Sequence, residues 1–491
     1  QELCFRSSRG IALPQHPWLP RNMEFHRRAS VSSEYLGGQH ITTSEHTTSC
    51  GDAQGLTEYL ITRAHQTQLS DIPEEIIATC KRLMLDAVAV GMAGCNEAPI
   101  RRYLCFASDQ HGTHIVMNSS RRLPAVNAAV VNGMMMHVLD YEPMWHPPTH
   151  ACSPLLPALL VASELADIGG GELLRAFAIG LEFQGRLRMG NERSKHVGTF
   201  VQHPPGFVGT LSAALACGIL LGLGPEKLRH AVGIACSRTG GLMGNVGTDM
   251  KSMHCGLAAG NGLESALLAR EGLRANPDML EHPRGFLVNF YPDGYDTEAA
   301  ASGFLSPDVG LWRMHDPGFA LKYFPAHFAM QFVITNALEL FGQMHAHGED
   351  ASAVEAVVIH APRYDYVNRP RPTTGIEGKF SMQFCTAVSL VDGDVGLSTF
   401  HEAATQRPEV LELLDKVQVE VDEGRKNHLT DMELHITVKT AKAVYSSTNR
   451  TPLGHWRDTS QKIELTKEKA TKCFRHVGIP PERAERIQAT V

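Results

Sequence analysis

The sequence lacks the signatures of several common enzyme and scaffold classes. None of its 11 cysteines stands in a C-x-x-C pair, no glycine-rich phosphate motif follows a predicted strand, and no G-x-S-x-G elbow occurs. Several cysteines lie inside apolar helical segments, which favours buried, reduced thiols over a disulfide framework. These absences argue against a phosphate-loop enzyme, an α/β-hydrolase and a disulfide-stapled domain.

The chain also has no excess of positive charge and no apolar run of membrane length. Its formal net charge is −7, which argues against nucleic acid as a main partner but does not oppose a small anionic ligand held by local cations. The longest apolar run, residues 208–224, is interrupted by Thr210, Ser212 and several glycines, so it predicts a core helix and no membrane span. The composition, with 43% hydrophobic and 20% charged residues, is typical of a globular protein.

A chain of 491 residues is longer than a single core usually supports, so two domains are expected. Residues 1–54 differ from the rest, because they mix Ser, Thr, Gly, Pro and His without periodicity. Their bias towards arginine and serine resembles a mitochondrial transit segment. We assign this segment no fold and expect a mitochondrial location, with the cytoplasm as the alternative.

From residue 55 onward, apolar residues recur at three- and four-residue spacing, and several segments are apolar nearly all round. This pattern is typical of helices buried in a large helical domain, and their content of Ala, Gly and Ser favours close helix packing. The predicted helices cover residues 76–94, 125–139, 153–166, 172–185, 208–221, 225–237 and 254–272. Together they predict a helical domain over residues 55–318.

The periodicity changes after about Gly318. Residues 353–362, 416–422 and 433–440 alternate or are rich in β-branched residues, which predicts strands, with helices between them at 328–341 and 380–390. From Gly454 the chain returns to charged helices at 467–476 and 481–488. The predicted fold is therefore mostly α: a large all-helical domain built from both chain ends, with an α+β lid at residues 319–453 and a return to the helical domain at 454–491.

The main polar interruption of the apolar helices lies within residues 132–157. There a helix breaks at Asp140 and a turn follows that holds Glu142, His146 and His150, with three prolines that stop the helix and fix the backbone. A rigid polar loop between two apolar helices predicts a functional site; the alternative is an ordinary turn with surface histidines. Asp140, His146 and His150 also suggest a metal site, although prolines exclude a helical spacing of the two histidines.

Four further segments concentrate polar groups. His203 precedes two prolines and an apolar helix, where it can bind an anion or merely cap a turn. Lys251 and His254 are three residues apart and share a helix face. Residues 322–327 (KYFPAH) and 366–370 (YVNRP) are expected to face a cleft between the two domains, or alternatively to form ordinary loops.

As a set, in this order, these motifs resemble the MmgE/PrpD family, and within it the itaconate-forming branch. The resemblance runs from about residue 56 to the end of the chain, and its motifs are the loop 140–150, His203-Pro-Pro, Lys251-x-x-His254, Phe324-Pro-Ala-His327, Tyr366-Val-Asn-Arg-Pro and Gly454-His-Trp-Arg. It implies the two-domain fold described above, a homodimer, and neither a cofactor nor a metal. It also implies active-site positions for Asp140, His150, His203, Lys251 and Tyr366.

The reaction that the resemblance implies is decarboxylation of the small tricarboxylate cis-aconitate to itaconate. Loss of one carboxylate leaves an allylic carbanion, so the enzyme has to stabilise a dienolate and protonate carbon. Lys251 and Lys322 are expected to supply positive charge. Asp140 is expected to fix the tautomer of a histidine and raise its pKa, and Tyr366 to donate a hydrogen bond from the lid.

The expected proton donor is His150, because the prolines hold it in place, and His203 is its competitor. The predicted substrate-binding residues are Met144, His254, Lys322 and His327. One departure concerns Met144: the itaconate-forming enzymes have an acidic residue and then a threonine where this chain has Pro143 and Met144. The lost hydroxyl removes a hydrogen-bond partner for the substrate.

Three alternatives stay open at the level of the sequence. The first is a hydro-lyase of the 2-methylcitrate dehydratase type within the same family. The second is a metal-dependent hydrolase built on Asp140, His146 and His150. The third is a dimer that binds metabolites without catalysis.

Overall fold

The computed structural model describes residues 55–189, 201–457 and 462–490. The segment 1–54, with its predicted transit-like character, lies outside the described residues. Among the helices that are described, none is both long enough and apolar enough to span a bilayer.

The first part of the chain is helical, as its periodicity predicts. Helices α4, α5, α7 and α9 pack on one another at its centre, and α2, α6 and α8 pack around them. The elements are α1 (Leu56–Gln66), α2 (Glu74–Ala93), α3 (Ala98–Phe106), β1 (His114–Ile115), β2 (Arg122–Leu123), α4 (Ala125–Val138), β3 (Met144–Trp145), α5 (Cys152–Ala166), α6 (Gly170–Arg188), α7 (Pro204–Leu220), α8 (Pro225–Cys236), α9 (Met250–Arg270), α10 (Phe286–Phe290) and α11 (Thr297–Ala301). The seven helices predicted in this region are confirmed, with ends that differ by a few residues.

Small residues bring α4 and α9 close together. A Cβ atom added to Gly256 on α9 would lie 2.4 Å from the carbonyl oxygen of Val130 on α4, and one added to Gly133 would lie 3.0 Å from the Gly256 Cα. These distances leave no room for a side chain at either position. The helix that carries Asp140 at its end is thereby held against the helix that carries Lys251.

A four-stranded sheet and its covering helices form the second part of the chain. The sheet order is β6-β5-β7-β8, with β5 and β6 parallel and the other pairs antiparallel. The elements are β4 (Phe319–Ala320), α12 (Phe328–Ala346), β5 (Val354–Pro362), α13 (Gly375–Gly378), α14 (Met382–Asp392), α15 (Glu402–Thr405), α16 (Pro408–Leu414), β6 (Val417–Asp422), β7 (Leu434–Thr440) and β8 (Val444–Asn449). Helix α12 packs on β7, β8 and α14, and these elements share a hydrophobic cluster of their own.

Strand β8 was not predicted from the sequence. Its inward positions include Ser447, which is buried but polar, so the alternation of apolar and polar residues is weak. The Ser447 hydroxyl lies 2.8 Å from Glu339 Oε2 and 3.1 Å from Asn336 Oδ1, both on α12, and these polar contacts replace apolar burial.

The end of the chain returns to the helical part. Helices α17 (Lys462–His476) and α18 (Pro481–Thr490) follow the sheet, and α17 packs against α2. Ala470, Cys473 and Phe474 share a buried cluster with Leu85 and Ala89. This confirms the predicted mostly α fold with a helical part built from both chain ends; the limits at 318/319 and 453/454 stay predictions.

Candidate active site

The loop between α4 and α5 begins where the backbone of Asp140 turns. Asp140 has a φ of 51°, in the left-handed region, and its N–H donates to the His137 carbonyl at 2.9 Å. A left-handed residue after the last turn ends a helix. The predicted break at Asp140 is confirmed, and its immediate cause is this backbone conformation, with the prolines only farther along the loop.

A short strand pair joins this loop to the segment before α12. Strand β3 pairs with β4 in antiparallel register, so Met144 lies opposite Ala320 and Trp145 opposite Phe319. Lys322 follows two residues after this pair. The pairing therefore brings Lys322 beneath the loop, although 182 residues separate it from Asp140.

Asp140 forms ion pairs with two lysines. Its Oδ1 lies 2.7 Å from Lys251 Nζ and 2.6 Å from Lys322 Nζ, and Lys322 also donates to the Asp140 carbonyl at 2.9 Å. Burial pushes the pKa of Asp140 upward, but the two lysines outweigh it and hold that pKa well below its usual value. Burial lowers the pKa of Lys322 to about 8. Asp140 is therefore a buried carboxylate that stays ionised.

Glu142 lies two residues further along the loop in different surroundings. Its Oε1 lies 2.5 Å from His137 Nδ1, and its Oε2 accepts a hydrogen bond from the Ser153 N–H at 2.8 Å. Burial raises the pKa of Glu142 to about 8, although the Ser153 hydrogen bond acts against it. Burial also lowers the pKa of His137 well below its usual value. Glu142 consequently retains its proton at neutral pH.

His150 lies between these two carboxyl groups. Its Nε2 is 3.5 Å from Asp140 Oδ1, and its Nδ1 is 3.7 Å from Glu142 Oε1. Burial lowers the pKa of His150 well below its usual value, and Lys322 lowers it further. Asp140 raises this pKa, as predicted, but it is outweighed, so the imidazole is neutral at neutral pH.

His203 occupies the N-cap of α7, where its backbone N–H donates to the Gly241 carbonyl at 2.9 Å. Its Nδ1 lies 3.3 Å from His254 Nδ1, so one of the two rings donates to the other. The side chain of His203 makes no hydrogen bond to the α7 backbone within the described residues. Burial lowers the pKa of His203 well below its usual value. The neighbouring groups His137, Lys251 and His254 lower it further.

Tyr366 contacts His327 on the other side of the cavity. The Tyr366 hydroxyl lies 2.6 Å from His327 Nε2, while His327 Nδ1 accepts a hydrogen bond from the Ala329 N–H at 3.2 Å. Burial lowers the pKa of His327 to about 3, so the ring is neutral and its single proton is on Nε2. That proton is donated to the Tyr366 oxygen. The Tyr366 hydroxyl also hydrogen-bonds the Tyr364 side chain, which lines the same cavity.

Helix α17, near the end of the chain, also contacts the loop between α4 and α5. Lys469 on α17 is fully buried; its Nζ lies 2.7 Å from Asp86 Oδ1 on α2 and donates to the Tyr141 carbonyl at 2.6 Å. The Tyr141 hydroxyl donates to the Tyr323 carbonyl at 2.8 Å. The loop is thus anchored to the C-terminal helix and to the segment that carries Lys322.

A cavity of about 350 Å³ opens between these groups. Six of the nine predicted site residues line it: Met144, His150, His203, Lys251, His327 and Tyr366. The other three are Asp140, His254 and Lys322. Asp140 contacts the lining residue Lys251, and His254 contacts the lining residue His203. Lys322 contacts Asp140. Lys322, which was predicted to face the cleft, is fully buried, because the β3–β4 pair draws it under the loop. The functional roles of the nine residues stay predictions.

Sequence reasoning missed several contributors to the site. His137 lies in the last turn of an apolar helix, where its only signal is its position three residues before Asp140. Glu142 was visible in the loop but was not included among the site residues. Lys379 donates to the Leu139 carbonyl at 3.0 Å and helps fix the end of α4. Arg369 and the ring of Phe380 also line the cavity.

The positions of the potential ligand atoms do not favour the metal site that the sequence suggests, which consists of Asp140, His146 and His150. Within the described ranges, the ligand atoms that cluster to within 4.8 Å belong to His137, Glu142 and His150, without Asp140 or His146. His146 instead lies against Trp456, with ring centres 6.1 Å apart. The ammonium groups paired with Asp140, next to His150, oppose a further cation there.

Comparison with known proteins agrees with the motifs. Residues 58–298 match the MmgE/PrpD N-terminal domain and residues 324–491 match the MmgE/PrpD C-terminal domain. The chain is 32% identical over 432 residues to cis-aconitate decarboxylase of Homo sapiens, covering 84% of this chain and 86% of that protein. It is 28% identical to cis-aconitate decarboxylase of Aspergillus terreus, over 82% of this chain and 86% of that protein. With 2-methylcitrate dehydratase of Escherichia coli strain K12 it shares 26% identity, over 60% of this chain and 62% of that protein. The chain belongs to the MmgE/PrpD family.

Proposed function

We propose that this protein is a carboxy-lyase that converts cis-aconitate to itaconate and CO₂ without a cofactor. The observation that carries the proposal is the cavity into which Lys251, three neutral histidines and the Tyr366 hydroxyl converge. Relatives that are named cis-aconitate decarboxylases and align over more than four fifths of the chain support the same reaction.

The chemistry needs charge stabilisation and one proton. The bond between a substrate carbon and one carboxylate breaks, CO₂ leaves, and the electron pair remains as a dienolate conjugated with another carboxylate. One proton then adds to carbon, so the trianion plus a proton yields the dianion itaconate and CO₂. Lys251 faces the cavity and stabilises the developing charge, which is worth more in a water-poor site than in water.

We assign the proton transfer to His150. Its imidazole is neutral in the structure, and three substrate carboxylates beside it would raise its pKa, since nearby anions favour the charged form of a histidine. Substrate binding and protonation of His150 are then coupled. Glu142, which holds a proton at neutral pH and lies 3.7 Å from His150 Nδ1, is placed to replace the proton that His150 gives to carbon.

His203 and Tyr366 complete the site in this proposal. His203 lies at the N-terminal end of α7 and suits a substrate carboxylate, because a helix N-terminus favours an anion. Tyr366 turns its hydroxyl proton from Tyr364 to the dienolate when the substrate is bound, while His327 still donates to the Tyr366 oxygen. Met144 contributes an apolar wall, where a side chain with a hydroxyl would offer a hydrogen bond.

The test is to offer cis-aconitate and 2-methylcitrate separately to the purified protein and to follow products by NMR. Itaconate from cis-aconitate, with one deuterium on the new methylene when the solvent is D₂O, is the expected result. If the protein instead dehydrates only 2-methylcitrate, its reaction is that of a hydro-lyase. This is the second candidate because the chain is similar to 2-methylcitrate dehydratase of Escherichia coli.

A chelator separates this proposal from a metal-dependent hydrolase. Decarboxylation should persist after treatment with a strong chelator and gel filtration. Activity that is lost and then restored by Zn²⁺ would contradict the cofactor-free mechanism.

Assembly and location are further proposals. The family resemblance favours a homodimer, which sedimentation equilibrium would show as twice the chain mass. The arginine-rich segment 1–54 favours a mitochondrial location, and a fluorescent fusion of this segment that stays in the cytoplasm would contradict it.

A further inference from the structure

The charges that face the cavity are too few for a trianion if only the predicted lysines are counted. Lys251 and Lys322 both bind the Asp140 carboxylate, so the three groups together carry one net positive charge. Lys322 is fully buried, and only Lys251 of the pair lines the cavity. The lining histidines His150, His203 and His327 are neutral. A ligand with three carboxylates therefore calls for another cation in the wall.

Arg369 is that cation. It lines the cavity, and its guanidinium carbon lies 5.6 Å from the centre of the Phe380 ring, the same ring that lies 5.6 Å from Lys251 Nζ. Both cations thus contact the Phe380 ring, which is favourable for each. Lys251 and Arg369 therefore line neighbouring parts of the cavity wall.

The guanidinium is fixed on one side and available on the other. Its Nε donates to the Tyr366 carbonyl at 2.8 Å, and its own carbonyl accepts from the Ser381 hydroxyl at 2.6 Å. In the part of the chain that the structure describes, Arg363 and Arg371 pair with carboxylates through their Nη atoms, whereas Arg369 forms no such ion pair. The nearby Glu377 carboxylate instead accepts from the Thr373 N–H at 2.7 Å and the Thr373 hydroxyl at 2.8 Å.

We propose that Arg369 binds one of the two carboxylates that the substrate retains in the product, through its two Nη atoms. A planar guanidinium held at Nε offers the parallel pair of donors that a carboxylate accepts, and this geometry is specific to arginine. The inference deepens the proposed function and rests on it. It makes Arg369 a determinant of specificity for tricarboxylates over ligands with fewer carboxylates.

Arg371 provides a matched control two residues away. It pairs with Asp415, and 58% of its side chain is exposed. It is not among the residues that line the cavity. Its substitution changes the charge of the same segment by the same amount, without removing the proposed carboxylate contact.

The experiment compares Arg369→Ala, Arg369→Gln, Arg369→Lys and Arg371→Ala. Calorimetry measures the Kd of tricarballylate, a saturated tricarboxylate that cannot decarboxylate, and of glutarate, a dicarboxylate. Kinetics with cis-aconitate measures KM and kcat separately, and circular dichroism confirms that each variant folds.

Arg369→Ala and Arg369→Gln should raise the tricarballylate Kd and the cis-aconitate KM by roughly 10–100-fold, the range for a hydrogen-bonded charged pair, with a smaller change in kcat. Arg369→Lys should recover only part of the loss, and Arg371→Ala should stay within about twofold of the wild type. Glutarate should bind the wild type more weakly than tricarballylate, and this preference should shrink in Arg369→Ala.

Folded Arg369 variants with Kd and KM within twofold of the wild type overturn the inference, as does a wild type that binds no tricarboxylate. An equal loss in Arg371→Ala also overturns it, because a general charge effect then suffices. Failure of the proposed function looks different: the wild type would bind tricarballylate in an Arg369-dependent way but release no CO₂ from cis-aconitate.

Discussion

Asp140 and Glu142 are two buried carboxyl groups on one loop, two residues apart, and they differ in charge state. Asp140 contacts the ammonium groups of Lys251 and Lys322 at 2.7 and 2.6 Å, and its pKa is held well below the usual value. Glu142 contacts a neutral histidine and one backbone N–H, and burial raises its pKa to about 8. Equal burial thus gives opposite outcomes, and the cations within direct contact decide between them. The loop presents one fixed negative charge and one stored proton on the two sides of His150.

Asp140→Asn should have the largest effect, because it removes the fixed charge and leaves two lysines without their anion. Breaking a buried ion pair costs about 3–5 kcal/mol, so the free energy of unfolding should fall by about that amount. Activity should fall below detection. Urea unfolding and CO₂ release measure the two effects.

Asp249→Asn is the control for Asp140→Asn, because Asp249 pairs with Arg102 at the surface. Exposed pairs contribute at most about 1 kcal/mol, so its loss should be correspondingly small. Equal destabilisation by the two variants would contradict the role given to the lysine contacts.

His150→Gln should abolish itaconate formation, with a loss of as much as about 10⁴-fold, while the fold survives. The reason is that, in the proposed mechanism, His150 delivers the proton to carbon. His203→Gln should weaken substrate binding but retain turnover at saturating substrate. The reverse pattern would exchange the two roles, and if both variants stay active, Tyr366 becomes the candidate donor.

Lys251→Ala should slow turnover by about 10²-fold, since it removes one electrostatic donor from the transition state and one of two partners of Asp140. Lys251→Arg should recover only part of this loss, because a planar guanidinium does not replace a compact ammonium. Steady-state kinetics with cis-aconitate measures both. Unchanged kinetics in Lys251→Ala would leave Arg369 as the main anion contact.

Glu142→Gln should have the smallest effect on rate, below about tenfold at pH 6, because glutamine keeps the shape of the protonated acid and water can replace the proton on His150 in its place. The substitution should, however, clearly change how the free energy of unfolding depends on pH. The pKa of Glu142 rises from its ordinary 4.5 to about 8 on folding, so its stabilising contribution is complete below about pH 4.5 and is lost as pH rises to about 8.

The measurement is the free energy of unfolding of wild type and Glu142→Gln between pH 5 and pH 8. The difference between the two should change by up to about 1.4 kcal/mol per pH unit. Parallel curves would show that Glu142 is ionised in the folded protein.

The sequence was sufficient to predict the long helices and most of the sheet. Helices such as α7 and α9 are apolar over many turns, and β5 and β7 are rich in β-branched residues, so local patterns identified them. The break at Asp140 was predicted because the apolar helix gives way there to a polar loop with three prolines. Strand β8 was missed because its buried Ser447 satisfies a hydrogen bond where a core residue was expected.

The contacts inside the site could not be predicted in the same way. Lys322 lies beside Asp140 because two strands of two residues each pair across the loop, and such short strands have no periodicity. His137 resembles any helical residue until Glu142 folds back onto it. The family resemblance indicated which residues belong together, but neither it nor the sequence indicated that His150 is neutral, since that depends on distances between groups far apart in sequence.

The contact between Lys469 and the Tyr141 carbonyl spans 328 residues of sequence. A ribosome that adds about 5–20 residues per second needs roughly 15–65 s to extend the chain from one to the other. During that interval the loop with Asp140, Glu142 and His150 is synthesised but lacks the lysine that fixes its backbone from behind. The site is therefore completed only after Lys469 has been synthesised, and a chain that stops before α17 should leave this loop without its anchor.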